Sequence, residues 1–248
     1  MKRYSHEESI VELPGGATME FVWIEPGTFT RGSPGPETYL DGEAPQHEVT
    51  ISRGFFLGRY EITQGQWESV MGVTPWSGQE YVQSNPSHPA VYISWNDTQE
   101  FIGKLNGAAG QEIYRLPTDA EWEYACRAGT TTRWSFGDDE SQLGEYAWNA
   151  ENTMNAGLKF AQPVGTKLPN PWGLYDMHGS VFEFCQDWYG NYSSDALIDP
   201  TGPASGPGRV YRGGDISYSA QEARSTFRDG IMPDSRYANN GARLLRIK

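Results

Sequence analysis

Beyond Thr130 the chain shows almost no helical periodicity, yet it is too aromatic and too varied to be disordered or fibrous. Only strand-sized runs stand out there: Trp134-Ser-Phe-Gly137, Tyr146-Ala-Trp148, Val181 to Phe184, Arg209 to Arg212, Ala223 to Arg228 and Ala242 to Ile247. Loops this long persist in a compact unit when dense packing, a metal or a binding site holds them. The composition suits that constraint. Twenty-nine glycines and 16 prolines punctuate the backbone, while nine tryptophans and 14 tyrosines supply large rings to pack beneath the turns. At 248 residues the chain can bury a sizeable core, and with no linker or internal repeat a single domain over 17–248 is expected, preceded by an extension at 1–16.

The first half is more regular. Glu20 to Ile24 and Thr28 to Thr30 read as strands leading into the turn-rich Gly32-Ser-Pro-Gly-Pro36, and the runs His47 to Ile51 and Gly54 to Ile62 read as a hairpin-like pair separated by a turn-like Ser-Arg-Gly. Thr63 with Gln66 predicts a capped helix over 64–71; a brief strand Val91 to Ile93 is followed by a helix from Asn96 to Gly107. The clearest local signal is Arg115-Leu-Pro-Thr-Asp-Ala-Glu-Trp-Glu-Tyr-Ala-Cys-Arg-Ala-Gly129. Here Thr118 caps, Glu121 completes the reciprocal box, Trp122, Ala125 and Cys126 face inward, and Gly129 stops the helix.

A formal charge of −13 makes nucleic acid a poor partner, and no run of eighteen apolar residues offers a membrane span. A soluble chain is expected, with its compartment left open. Two cysteines, Cys126 and Cys185, form no disulfide scaffold, although one bridge between them stays open. His6, His47, His88 and His178 lack metal-site spacing, and no G-x-S-x-G element supports a serine hydrolase. The Gly-rich Arg212-Gly-Gly214 fits no phosphate loop and is read as close backbone packing.

Two stretches carry chemistry. Asp176 and Glu183 flank a glycine turn and are hard oxygen donors suited to Ca²⁺, or else acceptors for backbone N–H groups. From Asp215 to Asn240, tyrosine, serine, asparagine and glycine mix without period between anchoring arginines, the blend of rigid area and adaptable polar contact that makes recognition surfaces. Arg224, Arg228, Arg236 and Arg243 are expected to act as internal clamps, since a guanidinium offers five fixed donors.

The pieces Phe55 to Trp67, Arg115 to Ala125, Gly173-Leu-Tyr-Asp-Met-His-Gly179 and Gly241-Ala-Arg-Leu-Leu245 resemble the formylglycine-generating enzyme (sulfatase-modifying factor) family from about residue 17 to 248. The resemblance implies an α+β, C-type-lectin-like fold with small twisted antiparallel sheets, few helices and much irregular structure. It also implies a structural Ca²⁺ held by the side chains of Asp176 and Glu183 and the carbonyls of Gly179 and Val181. The family's enzyme uses two cysteines around an Ala-Arg-Ser segment to bind copper. Here Ala223-Arg-Ser225 matches, but Ile216 and Gln221 stand where the thiols belong, so no copper is expected. The alternative is an oxygen- and metal-dependent oxidoreductase that uses His178 or Asp187.

The chain is more similar to the variable proteins of diversity-generating retroelements, whose framework is matched in order by Arg212-Gly-Gly214, Ala220-Gln221, Arg224-Ser225, Arg228, Pro233-Asp234, Arg236 and Gly241 to Leu244. Ser180, Phe182, Phe184 and Ala242 depart from the usual Asn, Trp, Trp and Phe. The resemblance implies a non-catalytic protein whose region 212–243 meets a protein or cell-surface ligand. Its expected contacts are Ile216, Ser217, Tyr218, Ser219, Thr226, Phe227, Asp229, Ile231, Ser235, Tyr237, Asn239 and Asn240, with Tyr218, Phe227 and Tyr237 as anchors. Each of these residues is accessible from an asparagine codon by altering its adenines, the way such systems diversify.

Overall fold

The computed structural model describes residues 7–34 and 41–248; His6 and the Gly35-Pro36 end of the turn-rich segment lie outside the described residues. Among the described residues there are four α-helices: α1 (Gln64–Met71), α2 (Trp95–Ala109), α3 (Asp119–Arg127) and the single turn α4 (Leu143–Tyr146). Each of the first three begins at a reciprocal capping box, Thr63 with Gln66, Ser94 with Asp97 and Thr118 with Glu121. Two of these boxes are the ones the sequence predicts. The second sits earlier than the predicted start at Asn96, because the Ser94 side chain already accepts the Asp97 N–H, and α2 runs through Gly107 to a left-handed Gly110. α3 ends at Arg127, two residues before Gly129, with Ala128 as its left-handed cap at φ 48°. The strand predicted at 91–93 does not form; Tyr92 has φ 55°, which breaks extended backbone.

Twelve short strands make up the sheets: β1 (Glu8–Glu12), β2 (Thr18–Ile24), β3 (Gly27–Arg31), β4 (His47–Ile51), β5 (Phe55–Gly58), β6 (Tyr114–Arg115), β7 (Phe182–Trp188), β8 (Leu197–Ile198), β9 (Arg209–Arg212), β10 (Asp229–Ile231), β11 (Asn240–Gly241) and β12 (Leu245–Arg246). They form three twisted sheets in the orders β1-β2-β5-β12-β6, β10-β9-β7-β11 and β3-β4-β8. Pairing is antiparallel except at the two-residue contacts of β11 with β7 and β4 with β8. The expected hairpin of His47 to Ile51 with Gly54 to Ile62 is split between sheets, β4 joining β3 and β8 while β5 lies between β2 and β12. Residues 8–12, expected within an extension, form an edge strand paired along its whole length with β2. The run Ala223 to Arg228 forms turns, and Ala242 to Ile247 contributes only β12. The architecture is α+β with few helices and much irregular chain.

The core falls into linked clusters. In one, Trp67 stacks on Phe101 at 5.2 Å between α1 and α2, above Leu116 and Leu244. In another, Trp122, Ala125 and Cys126 of α3 meet Cys185 of β7 and Leu57 of β5. Cys126 and Cys185 are both buried, free thiols, so the bridge left open by the sequence is not made. Among the described residues no helix is long and apolar enough to cross a membrane.

What ties the irregular half to the regular half is a buried ion network on the first turns of α3. Asp119 receives Arg212 Nε at 2.6 Å, Arg228 Nε at 2.9 Å and Arg31 Nη2 at 2.6 Å. Glu123, one turn on, takes Arg212 Nη2 and Arg127 Nε, both at 2.9 Å. Burial alone would raise the Asp119 carboxyl, but Arg212, then Arg228 and Arg31, hold it well below the usual carboxylate range. Such a group adds stability above its unfolded pKa, and that stability is lost as the pH falls. The carboxylate also lies at a helix N-terminus, where negative charge is favoured. Arg224 completes the set of clamps on a different carboxylate, reaching Glu43 Oε2 and Oε1 at 2.6 and 2.8 Å.

Replacing Asp119 by Asn should leave three buried guanidiniums underpaired and cost about 3–5 kcal/mol in a denaturant melt at pH 7; a loss below about 1 kcal/mol would contradict this role. Asp187 behaves in the opposite sense. Its Oδ2 accepts the Asp119 N–H at 2.9 Å, and burial, then the charge of Asp119, pushes its carboxyl up to about 7. From about pH 4, where an unfolded carboxylate releases its proton, to about 7 the folded protein holds a proton that the unfolded chain has lost, so this group makes stability fall as the pH rises. Asp187→Asn should therefore flatten the decline between pH 5 and 8; an unchanged pH–stability profile would remove Asp187 as its source.

Candidate functional site

In the C-terminal segment Arg212, Arg224, Arg228 and Arg243 turn inward, while Ser217, Tyr218, Ser219 and Tyr237 turn outward. β9 sets the alternation: Val210 and Arg212 are buried while Arg209 and Tyr211 lie half-buried on the other side. Gly213 and Gly214 follow with φ 100° and 75°, and a Cβ on Gly214 would meet the Ala223 Cα and the Glu222 carbonyl at 3.1 Å. The Arg-Gly-Gly run is therefore a close backbone crossing, as its sequence suggests, that brings 214 against 222–223.

Eight of the twelve expected ligand contacts reach the surface. Ser217, Tyr218, Ser219 and Tyr237 are exposed, and Asp229, Ile231, Ser235 and Asn239 partly so. Tyr218 (43% exposed) and Tyr237 (55%) have the accessibility an anchor needs. The other four are corrections. Ile216 joins the main core, its N–H donating to the Ser180 carbonyl and its carbonyl accepting the Thr153 hydroxyl at 2.6 Å. Thr226 is buried with its hydroxyl accepting from Arg224 Nη1. Phe227 is buried and stacks on Phe182 at 5.9 Å, so it supports the surface from beneath. Asn240 is buried in β11 beside Phe182 of β7.

Three residues outside the expected set complete the surface. Phe182 is a buried floor touching Tyr211 (4.5 Å) and Tyr218 (5.3 Å) edge to face. The Tyr211 hydroxyl donates to Asp229 Oδ2 at 3.2 Å across the β9–β10 pair. Met232, directly after β10, is 62% exposed. Strand alternation opposite a clamped Arg212 was the available signal for Tyr211; nothing in the pattern singles out Met232.

Carboxylates organise the rim. Buried Asp215 accepts the N–H and hydroxyl of Ser217 and the side-chain amide of Asn239, joining both ends of the segment, and burial pushes its own carboxyl up to about 6. Glu222 accepts the Ser219 hydroxyl at 2.7 Å. The Tyr218 phenol is pushed up by partial burial and then by Asp215, Glu222 and Asp229.

The residues of the catalytic alternative are engaged structurally. His178 lies with one ring nitrogen 2.8 Å from the Ala223 carbonyl and the other within 2.8–3.0 Å of the Ser135 hydroxyl and N–H, and burial lowers its pKa to about 4. Cys126 Sγ is 3.9 Å from both ring nitrogens and 3.7 Å from the Ser225 hydroxyl, but burial pushes its thiol up to about 12. A neutral thiol beside a committed imidazole is a poor nucleophile. Asp187 lines a cavity of about 390 Å³ with Arg31, His47, Tyr192 and Arg228. Among the described residues no three His, Cys, Asp or Glu side chains are grouped to hold a metal ion.

The glycine turn after Gly173 also differs from expectation. Both oxygens of Glu183 are engaged, by Arg243 Nε and Nη2 and by the Trp122 indole at 2.7 Å. Asp176, left-handed at φ 61°, accepts the Gly165 N–H on Oδ2, while its buried Oδ1 has no partner. Glu61, just before α1, accepts the Val181 N–H on Oε1 and also leaves a buried oxygen unpaired. Burial, then Asp176 and Glu183, pushes the Glu61 carboxyl well above its ordinary range. Arg243 pairs directly with Glu183, while Glu61 and Asp176 are influenced by its charge without contacting it. The proximity of Glu61 to this turn was invisible in the sequence because it stands far from the turn along the chain.

Comparison with known proteins bears directly on this arrangement. The bovine (Bos taurus) formylglycine-generating enzyme is 30% identical over 306 aligned residues, covering 97% of this chain and 79% of its own length. Treponema denticola variable protein 1 superposes with a TM-score of 0.86 at 26% identity, covering 97% of this chain and 99% of its own. PvdO from Pseudomonas aeruginosa gives 0.80 at 27% identity, covering 97% and 98%. The model of the sulfatase-modifying factor enzyme 1-like domain matches residues 7–248, which takes in the edge strand β1 as well as the clamped C-terminal segment, and the chain belongs to that family.

Proposed function

We propose that the protein is a non-catalytic ligand-binding member of its family, displaying a recognition face built from 217–219, 229–232 and 235–239 on a fixed scaffold. The observation that carries this reading is the division of one segment into two sets. Arg212, Arg224, Arg228 and Arg243 are buried in ion pairs, while Ser217, Tyr218, Ser219, Ile231, Met232 and Tyr237 reach solvent, with Ser217 and Ser219 oriented by Asp215 and Glu222. Where the family's enzyme needs two thiols, Ile216 is core and Gln221 carries no sulfur. The near end-to-end match to a variable protein supports the same reading. The partner is a protein or cell-surface ligand: exposed tyrosines give rigid contact area, and serine and asparagine give orientation.

A structural Ca²⁺ belongs to this reading through Glu61 and Asp176, with the turn carbonyls of Gly179 and Val181. The unpaired oxygens and the excess of buried carboxylate are what a hard divalent cation offsets. Its task would be to pin the turn that leads into β7, the strand carrying Phe182 beneath the face.

Two tests follow from these assignments. Tyr218→Ala and Tyr237→Ala should each change stability by at most about 0.5 kcal/mol, yet together should abolish capture of a ligand selected on the wild-type protein. Phe227→Ala should instead cost about 3–5 kcal/mol through a core cavity. Unchanged capture by the double tyrosine variant, or turnover of a cysteine peptide by the wild type, would overturn the binding assignment. Calcium should raise Tm and chelation lower it, with the difference lost in Glu61→Gln and Asp176→Asn; a Tm indifferent to calcium would reject the ion.

A further inference from the structure

The recognition face has a sign. Residues 212–243 contain five arginines, no lysine and no histidine, against the four acids Asp215, Glu222, Asp229 and Asp234. Arg212, Arg224, Arg228 and Arg243 are buried on carboxylates of the scaffold, so their charge is spent beneath the surface. Arg236 is half exposed, but its Nε and Nη2 each sit 2.6 Å from an oxygen of Asp97, with Asp234 and Glu100 adding negative charge around it. Arg209, on the same side of β9 as Tyr211, is sandwiched between the rings of Trp95 and Trp188 at 3.8 and 3.7 Å and donates to the Gln186 carbonyl. Glu222, Asp229 and Asp234 instead reach solvent. Asp229 borders the Tyr211–Tyr218–Phe182 platform, Glu222 lies at Ser219, and Asp215, Glu222 and Asp229 all act on the Tyr218 phenol with no cation among its influences.

We propose that this face, taken as the recognition surface assigned above, docks a protein segment that presents lysine or arginine side chains among apolar ones. The apolar part packs on Tyr218, Ile231, Met232 and Tyr237. A cation of the segment lies against the tyrosine ring faces, which attract positive charge, with Asp229 and Glu222 within the same platform. Like-signed partners are rejected by the uncompensated carboxylates, so the rim supplies specificity and association rate as well as contact. The arginine clamps thus hold the scaffold together and also leave an acidic surface above it.

The test is selection of a random twelve-residue peptide library on the wild-type protein, with Tyr218→Ala/Tyr237→Ala as counter-target. Enriched peptides should carry net positive charge. Their affinity should fall at least about tenfold on Glu222→Gln/Asp229→Asn/Asp234→Asn and with added salt, as expected for charge complementarity. It should be unchanged on the triple Glu12→Gln/Glu48→Gln/Glu68→Gln, which removes the same charge from exposed positions on β1, β4 and α1. Neutral or acidic enriched peptides that still require the tyrosines would overturn the charge inference and leave the face in place. Basic peptides that respond equally to the two triple variants would also overturn it, since net charge alone would then explain them. Failure to enrich any peptide over the counter-target would overturn both the inference and the recognition face beneath it.

Discussion

One carboxylate holds the two halves of this molecule in register. Asp119 opens α3, the most legible helix in the chain, and accepts guanidiniums from β3, from β9 and from the irregular segment after it. A buried ion pair contributes little net stability over a well-packed apolar alternative, because desolvation offsets much of the attraction. Its value here is geometric. Arg212 can satisfy Asp119, Glu123 and the Ser225 carbonyl together only if the segment from 212 to 228 returns to one place on α3. A chain with so little regular structure gains from such points a definition that a sheet would otherwise supply.

That arrangement separates what must stay fixed from what can change. Arg224 on Glu43 and Arg243 on Glu183 extend the same device to other parts of the scaffold, and each arginine is inaccessible from the face. The intervening side chains meet solvent or rest on the Phe182 floor. Substituting an exposed serine or tyrosine there alters a surface without disturbing a buried charge, and such changes are usually small in stability. The cost is borne by intervening residues that turn inward, among them Ile216, Thr226, Phe227 and Asn240, whose replacement reaches the interior.

Local chemistry was readable from the sequence, and distant pairing was not. Thr63 with Gln66 and Thr118 with Glu121 appear as predicted because a capping box is closed within four residues. Of the four arginines expected as internal clamps from their number of donors, Arg224, Arg228 and Arg243 are buried, whereas Arg236 pairs with Asp97 at the surface. By contrast, β4 and β5 look like a hairpin and belong to different sheets, since their true partners β3, β8, β2 and β12 are separated from them in sequence. Phe227 reads as an exposed anchor because an aperiodic segment gives no inside and outside. The engagement of Glu183 by Arg243 and Trp122 was unreadable for a related reason: which carboxylate an arginine or an indole occupies is a property of the folded chain.

The central claim is that binding is confined to the outward set while the clamps stay as they are. Hydrogen–deuterium exchange of the protein with and without a selected ligand tests it most directly. The account predicts new protection over 217–219 and 229–239, with exchange at α3 unchanged. Protection concentrated instead around Cys126 and His178, or around the cavity lined by Asp187 and His47, would contradict it.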